Sequence, residues 1–207
     1  MSRLNSIQHG KRKSKAHKYI LGMRKFKSFL AAATLVLLTS CSGDSTFNSD
    51  IFCYFAYNTS IHNTGWLWAA VQPASYGQFV FVSAPVKAGV RYVVAQNSSG
   101  STDEVPITTA AETRLNYSLG ANNGLIIGRT TDGQLVAFDR QCPNCSREKN
   151  LYRYSLTFNA VGQTVHCSTC KRDYDLNNLG YSTSGGRKLD QYIVSYNGAM
   201  LIVHNKQ

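Results

Sequence analysis

The apolar residues of this chain fall in short bursts of β-branched and aromatic side chains, bounded by Gly, Ser, Asn or Pro. That is the pattern of strands rather than helices. QFVFVSAPV (Gln78 to Val86) and RYVVAQ (Arg91 to Gln96) are two such bursts. LIIGRTTDGQLVAFD reads as two strands around Asp132-Gly133, and QYIVSYNGAMLIVHN as two around Asn197-Gly198. Asp-Gly and Asn-Gly supply the positive φ angles that two-residue hairpin loops require. A helical apolar repeat is hard to find; its best candidate, around Thr108 to Tyr117, is short and polar. The pattern predicts an antiparallel, all-β domain. Trp66 and Trp68 in GWLWAA stand two apart, so on a strand they share one face. A buried pair explains them more simply than a carbohydrate platform does.

The chain opens differently. Residues 1–40 carry nine basic and no acidic side chains, followed within that span by FLAAATLVLL, Phe29 to Leu38. The run has the length of a signal-peptide core and is too short to span a bilayer. It ends in Leu38-Thr39-Ser40-Cys41, which resembles the bacterial lipobox. That resemblance implies cleavage before Cys41 and acylation of Cys41, with several acyl chains giving stable anchoring. Met23 opens a compact n-region, so residues 1–22 are either an upstream start or a long basic extension.

The leader changes the charge. Nine of the 22 Lys and Arg precede Cys41, leaving 13 against 11 Asp and Glu, so the formal +11 becomes about +2. With it goes the main argument for nucleic acid as a partner. On that resemblance residues 41–50 are expected to be a lipidated cysteine and a small, polar tether. Residues 51–207 are long enough for one domain with its own core.

Cys142-Pro143-Asn144-Cys145 and Cys167-Ser168-Thr169-Cys170 are separated by 21 positions. Two short turns that each point two thiolates the same way can converge on one tetrahedral metal. A thioredoxin-type pair at Cys142 and Cys145 needs a helix after it. SREKNLYRYSLTF shows no helical apolar face, and a second pair would go unexplained. Structural disulfides suit an exported chain, yet cysteines two residues apart are poor disulfide spacing and good metal spacing. The expected metal ligands are Cys142, Cys145, Cys167 and Cys170, in a subdomain spanning about 138–180. Cys53 reads as a small buried hydrophobe. His62, His166 and His204 read as surface or strand-end residues. Asp173 and Asp175, beside Lys171 and Arg172, read as a solvated charge cluster, and Gly185-Gly186 as turn geometry.

The context of both pairs resembles a Rieske domain, over roughly residues 61–207. GLIIGRTTDGQLVAFDRQCPNC resembles its first half, a hairpin leading into a ligand turn. CSTCKRDYDLNNLG, then SGGRKLDQYIVSYNGAMLIVHN, resembles the second: ligand turn, aromatic-Asp-Leu strand, turn glycine, small-residue stretch and final hairpin. More narrowly, the chain is similar to Rieske-like lipoproteins of Bacteroidetes-type bacteria, whose cluster motif is often degenerate. The resemblance implies a Rieske-like antiparallel β-sandwich or barrel bearing a small zinc-ribbon- or rubredoxin-like subdomain. The motif departs from the family: Cys170 stands at the second histidine position, and Asn144 where the first histidine would be.

All-cysteine ligation removes the raised potential and the proton exchange that histidines give a Rieske centre. One structural zinc is the expected occupant; a low-potential [2Fe-2S] cluster or a mononuclear iron is the alternative. The sequence carries no Ser-His-Asp context and no phosphate-binding glycine loop. It reads as a non-catalytic binding or accessory module, or at most an electron carrier. Expected partners are a membrane, reached through Cys41, and an unidentified protein; no small-molecule substrate can be identified. The expected location is the bacterial cell envelope, and the outer membrane if the cell is Gram-negative.

Overall fold

The computed structural model describes residues 46–205. The basic leader, the apolar run and Cys41 therefore lie outside the described residues.

The bursts form strands as the pattern predicts. In chain order these are β1 (Cys53–Asn58), β2 (Phe79–Ser83), β3 (Val86–Lys87), β4 (Val90–Gln96), β5 (Thr102–Ile107), β6 (Ser118–Leu119), β7 (Gly124–Arg129) and β8 (Leu135–Asp139). Then follow β9 (Thr157–Phe158), β10 (Thr164–His166), β11 (Asp173–Asp175), β12 (Tyr181–Ser182), β13 (Gln191–Tyr196) and β14 (Met200–His204). Among the described residues the helices are α1 (Gly65–Val71) and α2 (Pro143–Lys149). A large sheet runs β3-β4-β2-β7-β8-β13-β14-β1-β6, with β5 also paired to β4, and it curls into a half-barrel. A small sheet runs β12-β11-β10-β9. Neighbouring strands in both are antiparallel.

Three strands of the large sheet are buried on both faces, which is why they read as continuous apolar runs rather than alternating ones. Val80, Val82, Leu125, Ile127 and Ala137 face a core that also holds α1, β1 and β14. Phe79, Phe81, Ile126, Val136 and Phe138 face a second core made with the small sheet and the cysteines. The two cysteine-bearing turns are thus packed onto the wall of the main core.

Both hairpins form where expected, with different loops. Between β7 and β8 the turn is closed by Gly133 N–H to Thr130 O (2.9 Å) and Thr130 N–H to Gln134 O (2.9 Å), leaving a three-residue loop. Between β13 and β14 the loop is Gly198-Ala199, closed by Asn197 N–H to Met200 O (3.3 Å). Only the glycines, at φ +87° and +89°, adopt the left-handed region; Asp132 and Asn197 do not. Asn197 acts through its side chain, whose Oδ1 accepts from the N–H groups of Ala199 and Met200.

GWLWAA is not a strand. It forms α1, which sends Leu67, Ala70 and Val71 into the first core, an i, i+3, i+4 stripe too short to be read as a period. Asp103 caps its start by accepting the Trp66 N–H at 2.7 Å. Trp66 is 40% exposed and Trp68 half-buried, so they are not a buried pair. A helix also follows Cys142. Pro143, at its start, has no N–H to leave unpaired, and Asn150, at φ +50°, ends it. Among the described residues no helix is long and apolar enough to cross a membrane.

Candidate metal centre

Cys142 is the N-cap of α2, and Cys145 lies in its first turn. The backbone N–H of Cys142 donates to Tyr154 O (2.8 Å) and that of Leu156 to Arg140 O (2.8 Å), so the returning chain pins the end of β8 on which the turn stands. The second turn lies between β10 and β11. Cys167 N–H donates to Arg172 O (2.9 Å) and Lys171 N–H to Cys167 O (2.9 Å), with Lys171 left-handed at φ +59°. The two turns are unlike in backbone and alike in what they present.

All four Sγ atoms lie within 4.8 Å of one another. Cys142 Sγ is 3.6 Å from Cys170 Sγ, and Cys145 Sγ is 3.7 Å from Cys167 Sγ. A single tetrahedral ion with metal–sulfur bonds of about 2.3 Å sets its sulfurs about 3.8 Å apart, so these residues fit one metal. Cys142, Cys145 and Cys167 are buried and Cys170 is partly exposed; none of the described cysteines is disulfide-bonded.

Around the sulfurs stands a second layer. The Tyr174 hydroxyl accepts from Asn144 Nδ2 (2.8 Å), which leaves its own proton to donate to Cys142 Sγ at 3.2 Å. Burial pushes the Tyr174 hydroxyl well above the usual phenol range, which keeps that proton in place. Asn144 is held in turn by Arg187, whose N–H donates to Oδ1 (3.1 Å) and whose O accepts from Nδ2 (3.3 Å). Gly186, at φ +94°, sits where a Cβ would come within 2.7 Å of Asn144 Oδ1. The Arg172 guanidinium donates to Cys170 and lies 3.8 Å from Glu148 on α2.

Burial pushes the Cys142 thiol up to about 11 despite the Tyr174 hydrogen bond, and pushes Cys145 higher still. At Cys170 burial also raises, but the hydrogen bonds from the Arg172 N–H and guanidinium outweigh it and bring the thiol down to about 7. A helix does follow Cys142, contrary to the sequence expectation. Burial nevertheless leaves that sulfur far from the low value a redox nucleophile needs. Cys53 is fully buried, as expected, and burial pushes it up to about 12.

Histidine plays no part in the four-sulfur group. His166 ends β10, and its Nδ1 lies 2.8 Å from Asp173 Oδ1. His204 ends β14. His62 is not a surface residue: only 12% of its side chain is exposed, and Nε2 lies 2.9 Å from Oε1 of the buried Glu112. The supposed charge cluster also divides. Asp173 serves His166, Asp175 accepts from the N–H groups of Asn177 and Asn178, and Arg172 turns to Cys170. Sequence reasoning missed Tyr174, Asn144, Arg172 and Gly186. The alternation that turns Asp173 and Asp175 outward puts Tyr174 inward, and that was the available signal.

No protein family, curated protein or solved structure matches this chain. What the fold and the site define is an all-β domain carrying a four-cysteine group able to bind a metal ion.

Proposed function

We propose that the chain is a lipid-anchored protein of the bacterial cell envelope, whose Rieske-like domain holds one structural zinc ion in a non-catalytic binding or accessory module. The observation that carries the metal reading is the single cluster of four sulfurs, all within 4.8 Å. A two-iron cluster places its cysteine pairs on opposite sides of two metals and spreads them further. Four protein sulfurs fill a tetrahedral ion, which is the closed arrangement of a structural site. Zinc there would draw α2 and the 167–172 turn together and supply folding energy. The chain's own contribution is to orient Cys142 through Tyr174 and Asn144, to keep water from three of the four sulfurs, and to set Arg172 beside the fourth.

The Rieske-like reading rests on the sequence motifs and on a hairpin, β7–β8, leading into the first ligand turn. Asn144, at the first histidine position, bonds Tyr174 rather than joining the sulfurs. The envelope reading rests on residues 1–41. One mononuclear iron is the second reading, favoured by the hydrogen bonds that Tyr174 and Arg172 direct at the sulfurs, a means of tuning iron–sulfur potentials.

Elemental analysis and a visible spectrum test the metal, on protein from Ser42 onward purified under reducing, oxygen-free conditions. One zinc per chain without colour is the expected result. One iron with a charge-transfer spectrum would replace zinc by the second reading. Two irons with labile sulfide would sink the single-ion site. For the anchor, Cys41→Ala is expected to move the full chain out of the membrane fraction; unchanged fractionation would overturn it.

A further inference from the structure

We infer that the four thiols can be closed by oxidation across the two turns, Cys142 with Cys170 and Cys145 with Cys167, giving the subdomain a disulfide clamp in place of a metal one. The loss of metal in this scheme rests on the reading above; the pairing does not.

The pairing follows from where the sulfurs point. Two thiol–thiol hydrogen bonds cross between the turns, at 3.6 Å for Cys142 and Cys170 and 3.7 Å for Cys145 and Cys167. Each pair has only to close to the about 2.05 Å of a disulfide. Both bridges would span the sequence widely, across 28 and 22 positions. They would therefore fasten α2 to the 167–172 turn, as a shared ion does. Bridges within a turn would fasten nothing.

Access sets the order. Cys170 is the one partly exposed cysteine of the four, and the buried Cys142 lies 3.6 Å from it across the turns. With a small disulfide as oxidant, the Cys170 sulfur attacks one oxidant sulfur and releases the other as a thiol. The Cys142 sulfur then displaces the second half, also as a thiol. Two protein sulfurs have lost two electrons and one oxidant has become two thiols. The protons come from the protein thiols when these are free, and from solvent when a metal had replaced them. The Cys145–Cys167 bridge consumes a second oxidant by the same steps, and the metal leaves as the free cation. An exported chain meets such oxidising conditions.

The test is treatment of the full chain with excess oxidised glutathione, with released metal followed by a colour-forming chelator and bridges mapped by mass spectrometry without reduction. The expected products are the two crossed bridges, with one metal ion released per two oxidants consumed. Cys170→Ser should leave Cys142 open to alkylation and the Cys145–Cys167 bridge intact. Bridges Cys142–Cys145 or Cys167–Cys170, lasting glutathione adducts, or four unreacted thiols would overturn the inference. Crossed bridges in a protein isolated without metal would uphold it and remove the metal reading. Bound metal with bridges inside the turns would do the reverse.

Discussion

The hydroxyl of Tyr174 lies 3.2 Å from the sulfur of Cys142, on the one proton that Asn144 does not oblige it to share elsewhere. A donor aimed at a ligand sulfur stabilises its charged form and fixes its direction. Tyr174→Phe keeps the ring in the second core and removes this contact together with the hydrogen bond from Asn144 Nδ2, which still has the Arg187 carbonyl to donate to. Competition with a chelator at fixed pH should show metal affinity reduced by about tenfold. Equal affinity would mean that the sulfur does not depend on the hydroxyl.

Gly185 and Gly186 offer a comparison between neighbours. Both have positive φ, but a Cβ at Gly185 meets nothing within 4 Å, whereas one at Gly186 meets Asn144 Oδ1 at 2.7 Å and Arg172 Nε at 3.1 Å. Gly185→Ala carries backbone strain alone, about 1 kcal/mol. Gly186→Ala adds displacement of Asn144, which three hydrogen bonds hold, for a total of about 2–3 kcal/mol. Urea unfolding of the two variants should separate them, and equal losses would contradict the packing described.

Asp139 provides a pH dependence. It ends β8 with no exposure and accepts from the Ala121 N–H (2.7 Å), the Gln141 N–H (2.8 Å) and the Tyr192 hydroxyl (2.8 Å). Burial outweighs these donors and pushes the carboxyl up from 3.8 to about 6. Because the folded value is the higher one, the fold binds the extra proton. The stabilisation from this group is present in full below about pH 4 and lost as pH rises through 6, amounting to about 2–3 kcal/mol. Asp139→Asn has no such proton. The stability of the native chain minus that of the variant should therefore fall between pH 4 and 7, and a rising difference would mean that the three donors prevail.

Removing the metal should be felt unevenly. The four cysteines lie in the small-sheet half of the molecule, whereas most strands of the large sheet are laddered without them. Chelation of the reduced protein should abolish slow amide exchange in β10 and β11 while β7 and β14 stay protected. Uniform loss across all four strands would show that the domain folds only with its ion.

The strands and the four sulfurs were legible because each is a local pattern. β7 and β8 announce themselves by apolar content and a turn glycine, and the cysteines by their spacing. The helices were not. α1 places only Leu67, Ala70 and Val71 in the core, and GWLWAA looks equally at home in a sheet. α2 is set by Pro143 and a left-handed Asn150 rather than by any apolar face. The layer behind the sulfurs was hidden for another reason. Asn144 meets Tyr174 and Arg187 from 30 and 43 positions away, and no spacing rule connects them.

Ile126 and Ile127 are adjacent in β7, yet the first faces the sulfur-bearing core and the second the core of α1. One peptide bond thus carries two methyl reporters into separate compartments. Their resonances give an internal reference: whatever happens at the sulfurs reaches Ile126 directly, and Ile127 only if the wall itself moves. The strand is in effect a gauge, built into the fold, of how far an event at the cysteines travels.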